Sequence, residues 1–235
     1  MRYSQWVLYI GDFKLSETVI VSWMIIAGLA IASYFLTRNL KKVPTSKVQI
    51  LLEYAVMMLV NLVTENMGEK TVKRMPNMIP YIGSLFLFFA CSNLIGLLGF
   101  RSPTTDIDTT LAWALITFFM IYYAGIKSHG LSYFKGLLEP IPVLLPLNII
   151  GELAKPISLT FRPFGNILGG AVIMALLYQF LGFVSTLIPG VTIPFGQLII
   201  PVPLHLYFDL FAGLLQSFIF IMLTMVFVGN AAQTE

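Results

Sequence analysis

Residues 18–37 read TVIVSWMIIAGLAIASYFLT, a run without a single charge. About 20 apolar residues are what an α-helix needs to cross a bilayer. In hydrocarbon, only a helix or a closed barrel satisfies its own backbone polar groups. The run is not alone. Residues 75–100 form a second, with Pro76 and Pro80 near its start, and residues 109–126 a third, entered through DIDTT with Asp108 placed to cap it. Two more lie in the last third, on either side of STLIPGVTIPFGQ, where Pro189, Gly190 and Pro194 have the spacing of a turn. One soluble core could not hide them all, because its surface-to-volume ratio is too high. The composition agrees: 57% of residues are hydrophobic and 11% charged, against roughly 25% charged in soluble domains. The expectation is one integral membrane domain spanning residues 1–235, all-α, with membrane helices at 18–37, 75–100, 109–126, 143–184 and 194–231.

Between the first two runs lies SKVQILLEYAVMMLVNLVTEN, apolar enough to enter a membrane. Arg38, Lys41, Lys42 and Lys47 precede or open it, and Lys70, Lys73 and Arg74 follow, together half of the chain's 14 basic residues. Basic loops mark the cytoplasmic side, and one span cannot start and end on the same side. Residues 46–66 are therefore expected to form an amphipathic helix lying in the interface. The N-terminus then lies outside, RSPTTDID outside, Lys127 and Lys135 inside, and the C-terminus in the cytoplasm.

The net charge of +3 suggests no nucleic-acid partner. Cys91, the single cysteine, has no disulfide partner, and no metal-ligand spacing occurs. Residues 1–12 lack the pattern of a cleaved signal peptide. There is no GxxxxGK[ST] loop for nucleotide, no cofactor is expected, and no catalytic site.

From residue 109 onward charges are few, and Glu152, Lys155, Arg162 and Asp209 lie in or beside apolar sequence. Asn148, Glu152, Lys155, Ser158, Arg162, Asn166 and Gly169 recur every three or four residues, so one helix face carries them all. His205, Asp209, Gly213 and Gln216 make a second polar face. The glycines allow another helix to approach closely. Ser158, Asn148 or Asn166 singly could be polar glue, bonded to a neighbour's backbone. Glu152 and Lys155 could snorkel to the interface. Arg162 admits no such reading. A guanidinium at mid-bilayer costs at least ~2.5–3.5 kcal/mol on insertion scales, and it cannot shed its proton. Pro156 and Pro163 free the carbonyls of Glu152 and Leu159, groups that need water or other partners. A helix so built lines a wet space.

KPISLTFRPFGNILGG, residues 155–170, resembles the signature around the essential arginine of subunit a of the F-type ATP synthase, commonly SLxxRLFxNxxxG. SPTTDIDTTLAWAL is similar to that family's loop and following helix start, and LLQSFIFIMLTMVFV to its last helix. The resemblance implies that Arg162 faces the carboxylates of a rotating ring of c subunits, with Ser158, Asn166 and Gln216 close by. It also implies that the last two helices are long and strongly tilted, and that b subunits of a peripheral stalk and membrane lipid are further partners. The chain would be the ion-translocating stator subunit, supplying two half-channels for H+ or Na+ in a bacterial plasma membrane. Ring carboxylates would cross lipid neutral, and beside Arg162 their bare form would be tolerated. The sequence departs from the pattern at Pro163, where the family has leucine. An acid expected before the Lys-Pro pair is Asn148 here, with Glu152 a turn on. The family's acid and histidine positions hold Ala171 and Asp209, so its acid–histidine pair is expected to be absent. Asp209 would then serve the outer path alone, with His205 a turn before it, and Glu152 the inner one. The competing reading is a secondary transporter with its site at proline-broken helices. It calls for a second, inverted broken segment, and the sequence has none.

Overall fold

The computed structural model describes residues 6–10, 13–44, 46–186 and 195–233. The turn expected around Pro189, Gly190 and Pro194, most of the start of the chain and its last two residues lie outside them.

Strands β1 (Trp6–Ile10) and β2 (Phe13–Ser16) pair antiparallel, with Ile10 opposite Phe13. This small hairpin was not expected from the sequence. The residues of β1, WVLYI, are mostly the β-branched and aromatic types that favour strands. Every described residue after it is helical or loop. Helix α1 (Glu17–Thr37) follows directly, then α2 (Lys47–Met67), the short α3 (Glu69–Arg74), α4 (Met78–Leu94), α5 (Ile107–His129) and α6 (Leu145–Thr186). The last helical stretch runs from residue 195 to 233. It holds α7 (Phe195–Ile199), α8 (Pro201–His205), a π-helical turn (Leu206–Phe211) and α9 (Ala212–Gln233). Six of these helical stretches, α2 among them, are long and apolar enough to cross a membrane. The chain is an all-α, multi-pass membrane protein.

Helix α6 has 42 residues. At 1.5 Å per residue it is about 63 Å long, twice the ~30 Å hydrocarbon core, so it fits only if inclined. Prolines normally break helices, yet Pro156 and Pro163 both lie inside it. Thr160 Oγ1 takes up the carbonyl of Pro156 at 2.8 Å.

The packed centre is made by α4, α5 and α9, with α1 and α2 against it. Phe89 and Phe220 stack at 4.4 Å between centroids, and Ile82, Ile121, Ile221 and Met225 are almost wholly buried around them. Gly229 lets α9 touch α2: a Cβ there would stand 3.1 Å from the carbonyl oxygen of Asn66 and the Cα of Met67. Helix α6 lies outside this centre, packed on α5. Its other side is open, with Ile150, Ile157, Phe161, Leu176 and Phe180 exposed. On a protein in water such a surface would be a hazard; in lipid, or against another membrane subunit, it is what the composition calls for.

Candidate functional site

The polar stripe of α6 divides into three parts. At its start, Asn148 Nδ2 donates to the carbonyls of Leu137 (2.8 Å) and Glu139 (3.0 Å), tying the helix to the segment before it. One turn on, Lys155 Nζ donates to Glu152 Oε1 at 2.5 Å. The second carboxylate oxygen of Glu152 is buried and has no hydrogen-bond partner among the described residues. Both charges and Asn148 border a cavity of about 770 Å³. Its far wall comes from Tyr122 on α5, Tyr133 and the segment after it, and Phe227 on α9. The ammonium of Lys155 sits 5.9 Å above the Phe227 ring, a cation–π contact that offsets part of its desolvation.

In the middle of α6, Ser158 and Arg162 point to the open side and are exposed. Among the described residues neither side chain has a hydrogen-bond or ion-pair partner. Gly165 and Gly169, near Arg162 on the helix, have no neighbouring atom within 4 Å of where a Cβ would stand. The permanent cation thus lies near the centre of the longest helix, on a face of small residues that this chain leaves uncovered.

Farther along, Asn166 turns toward α9 and donates from Nδ2 to Gln216 Oε1 at 2.7 Å. Gln216 is 2% exposed, and its own Nε2 has no partner among the described residues. Asn166 also borders a second cavity of about 380 Å³, shared with His205 and Asp209 on one side and Arg101 and Ser102 on the other. No described residue lines both cavities. On α6 the larger cavity ends at Lys155 and the smaller begins at Asn166, about 16 Å apart along the axis. Arg162 stands between.

Asp209 is not alone. His205 Nδ1 lies 2.7 Å from Asp209 Oδ2, and His205 Nε2 lies 3.1 Å from the hydroxyl of Tyr178 on α6. An acid–histidine pair is therefore present in this chain, formed within one helical turn, although the family positions considered in the sequence reading do not supply it. The π-helical turn Leu206–Phe211 contains Asp209 and lies between His205 and Gln216. Each π turn adds roughly one residue, about 100° of rotation. His205 and Asp209 consequently face the cavity while Gln216 faces the interior, where plain α-helical spacing put all three on one face.

Two parts of the site escaped sequence reasoning. Asn93 on α4 donates from Nδ2 to the carbonyl of Gly213 (2.8 Å) and to Ser217 Oγ (3.0 Å), and accepts from Thr104 Oγ1 at 2.5 Å. Ser102 Oγ joins Thr104 at 2.7 Å and donates to the Ser92 carbonyl at 2.5 Å. This buried network fixes the loop over the smaller cavity to α4 and α9. An amide in an apolar run needs partners, and that signal could have flagged Asn93. At the mouth of the same cavity, Arg101 Nη2 meets Asp106 Oδ1 at 2.8 Å, and Thr18 Oγ1 donates to Asp106 Oδ2 at 2.6 Å. Tyr178 gave no signal, since a tyrosine in an apolar helix looks like any other aromatic.

The arrangement is two polar cavities on one inclined helix, each with a carboxylate, divided by an outward-facing cation. Known proteins give it a context. The sequence profile of the family described as ATP synthase A chain matches residues 19–229. The chain is 36% identical over 241 residues to "ATP synthase subunit a, sodium ion specific" of Propionigenium modestum, an alignment covering 95% of this chain and 76% of that protein. It is 34% identical over 227 residues to "ATP synthase subunit a 1" of Hahella chejuensis (strain KCTC 2396), covering 96% and 88%.

Proposed function

The chain belongs to the ATP synthase A chain family, and from that premise we propose that it is the ion-translocating stator subunit of a rotary ATP synthase, in which Arg162 divides two half-channels. The single observation that carries this reading is the position of Arg162: mid-helix, exposed, without a partner among the described residues, between two cavities that share no described lining residue.

The chemistry follows from charge. A ring of c subunits lies against the open face of α6 and presents one carboxylate at a time. In lipid that carboxylate stays neutral, with its cation bound, because a bare charge in hydrocarbon is prohibitively unfavourable. Beside Arg162 the bare form is stabilised: at an effective dielectric near 20, opposite charges ~4 Å apart attract by about 4 kcal/mol. Each site therefore gives up its cation on one side of the arginine and reloads on the other. The membrane potential supplies about 2.3 kcal/mol per charge per 100 mV and turns the exchange into rotation. Since guanidinium keeps its charge, Arg162 also bars a cation from slipping straight between the cavities.

The smaller cavity, roofed by the loop of Arg101 and Ser102, is the outer half-channel, with the His205–Asp209 pair as its cation station. The larger cavity is the cytoplasmic half-channel, and Glu152 is its carboxylate. Asn148 holds the larger cavity's wall in place, and the Asn166–Gln216 bond sets the distance between the two long helices beside the arginine, with Ser158 facing the ring. Helix α2, with basic residues at both ends, lies in the cytoplasmic interface, so that five helical stretches cross a bacterial plasma membrane and the N-terminus stays outside. The b subunits of the peripheral stalk hold the assembly against the torque. Nucleotide chemistry takes place on other subunits. The translocated cation is H+ or Na+; a relative is named as sodium ion specific, and dependence of the rate on Na+ at constant pH tells the two apart.

The experiment is Arg162→Ala in vesicles holding the whole complex. The complex assembles and ion-driven ATP synthesis is lost. Near-normal synthesis would reject the mechanism.

A further inference from the structure

We infer that Tyr178 is a positioning residue for the outer half-channel, acting on the translocated cation only through His205 and Asp209. The inference rests on the half-channel reading given above.

His205 and Asp209 border the smaller cavity, and Tyr178 does not. The tyrosine therefore cannot serve as a station itself. An ionised carboxylate only accepts hydrogen bonds, so the 2.7 Å contact to Asp209 requires the hydrogen on His205 Nδ1. In neutral imidazole the other nitrogen, Nε2, is then an acceptor. The Tyr178 hydroxyl, 3.1 Å away, supplies the donor that this tautomer needs. The phenol thus selects one tautomer and one ring orientation together. Tyr178 is itself held in place: Gln197 Nε2 on α7 donates to its backbone carbonyl at 2.7 Å. A chain of contacts runs from α7 through α6 to Asp209. It leaves Asp209 Oδ1 without a hydrogen bond among the described residues, in a side chain 44% exposed. That oxygen is free to meet a cation. Among the described residues, the other charged group facing this space is Arg101, across the cavity, in its ion pair with Asp106.

Without the phenol, the imidazole can flip or change tautomer, and only a fraction of the pairs keep the competent arrangement. Apparent affinity falls in proportion to that fraction. One neutral hydrogen bond of about 1 kcal/mol corresponds to about a fivefold change.

The test measures ATP synthesis by vesicles carrying the whole complex against cation concentration on the outer side. Tyr178→Phe raises the half-saturating concentration about fivefold and leaves the maximal rate unchanged. In a His205→Ala background the same substitution adds nothing. An equal fivefold effect in both backgrounds would show a merely structural tyrosine and overturn the inference, as would no effect in the parent. Should His205→Ala be too slow to assay, ¹⁵N spectra of the histidine-labelled complex decide. The His205 signal, identified by its loss in His205→Ala, is a single Nδ1–H tautomer in the parent and a mixture in Tyr178→Phe. One unchanged tautomer in both overturns the inference. Arg162→Ala, assayed in parallel, reports on the half-channel reading itself, so that the two can fail separately.

Discussion

Replacing Asn93 by leucine removes three hydrogen bonds from the centre of the buried network and keeps the number and branching of side-chain heavy atoms. Asn93 borders the smaller cavity but is only 8% exposed, and its partners Thr104 and Ser217 are wholly buried, so little water reaches the bonds it makes. None of its partners is orphaned, however. The Gly213 carbonyl still receives Ser217 Oγ at 3.0 Å, and Thr104 Oγ1 still has Ser102 Oγ at 2.7 Å. The cost is therefore the net worth of the bonds, about 1 kcal/mol each, or nearer 0.6 each as averaged in a membrane interior. Together that makes about 2–3 kcal/mol, without the larger penalty of a stranded buried donor. In a chain of this size it amounts to roughly 5–10 °C of melting temperature. The assay is thermal unfolding of the detergent-purified complex, followed by solubility of this subunit. Asn93→Asp is expected to be worse than leucine, because it sets a carboxylate oxygen against the Gly213 carbonyl. If Asn93→Leu melts within a degree of the parent, or if aspartate is tolerated better than leucine, the network does not hold the loop to α9 as reasoned.

Asp209→Asn removes the charge that holds the His205 imidazole and strongly slows ion-driven synthesis in vesicles; an unchanged rate would take Asp209 off the path. Gly229→Val sets side-chain atoms against the backbone of Asn66 and Met67, where a Cβ alone already lies 3.1 Å away. Because backbone cannot swing aside as a side chain can, this subunit should fail to accumulate in membranes, as read by immunoblot, whereas normal accumulation would show that α2 and α9 can separate.

Much of the fold was legible because lipid imposes simple rules. Runs such as residues 18–37 and 109–126 are long and uncharged, and a membrane leaves them little but helix to form. Arg162 was legible for the same reason, being a cation that can neither neutralise nor hide. The division of labour along α6 was not legible. A polar stripe at helical spacing looks uniform, yet whether Asn148, Arg162 or Asn166 faces a loop, open space or a neighbouring helix depends on how other elements pack. The His205–Asp209 pair was hidden by reading positions against a family pattern rather than against each other, although their spacing of four already put them in reach. The π-helical turn had no readable signal: it changes which way Gln216 points without altering its distance in sequence from His205.

The central claim is that the two cavities open to opposite sides of the membrane and do not communicate past Arg162. It is tested most directly in a chain whose Cys91 is replaced by serine. Gly151→Cys then places a thiol at the larger cavity and Ala171→Cys one at the smaller. Labelling with an impermeant thiol reagent is compared between right-side-out and inverted vesicles. The account predicts that the thiol at 151 reacts only from the cytoplasmic face and the thiol at 171 only from the outer face. Reaction of both from the same face would contradict it.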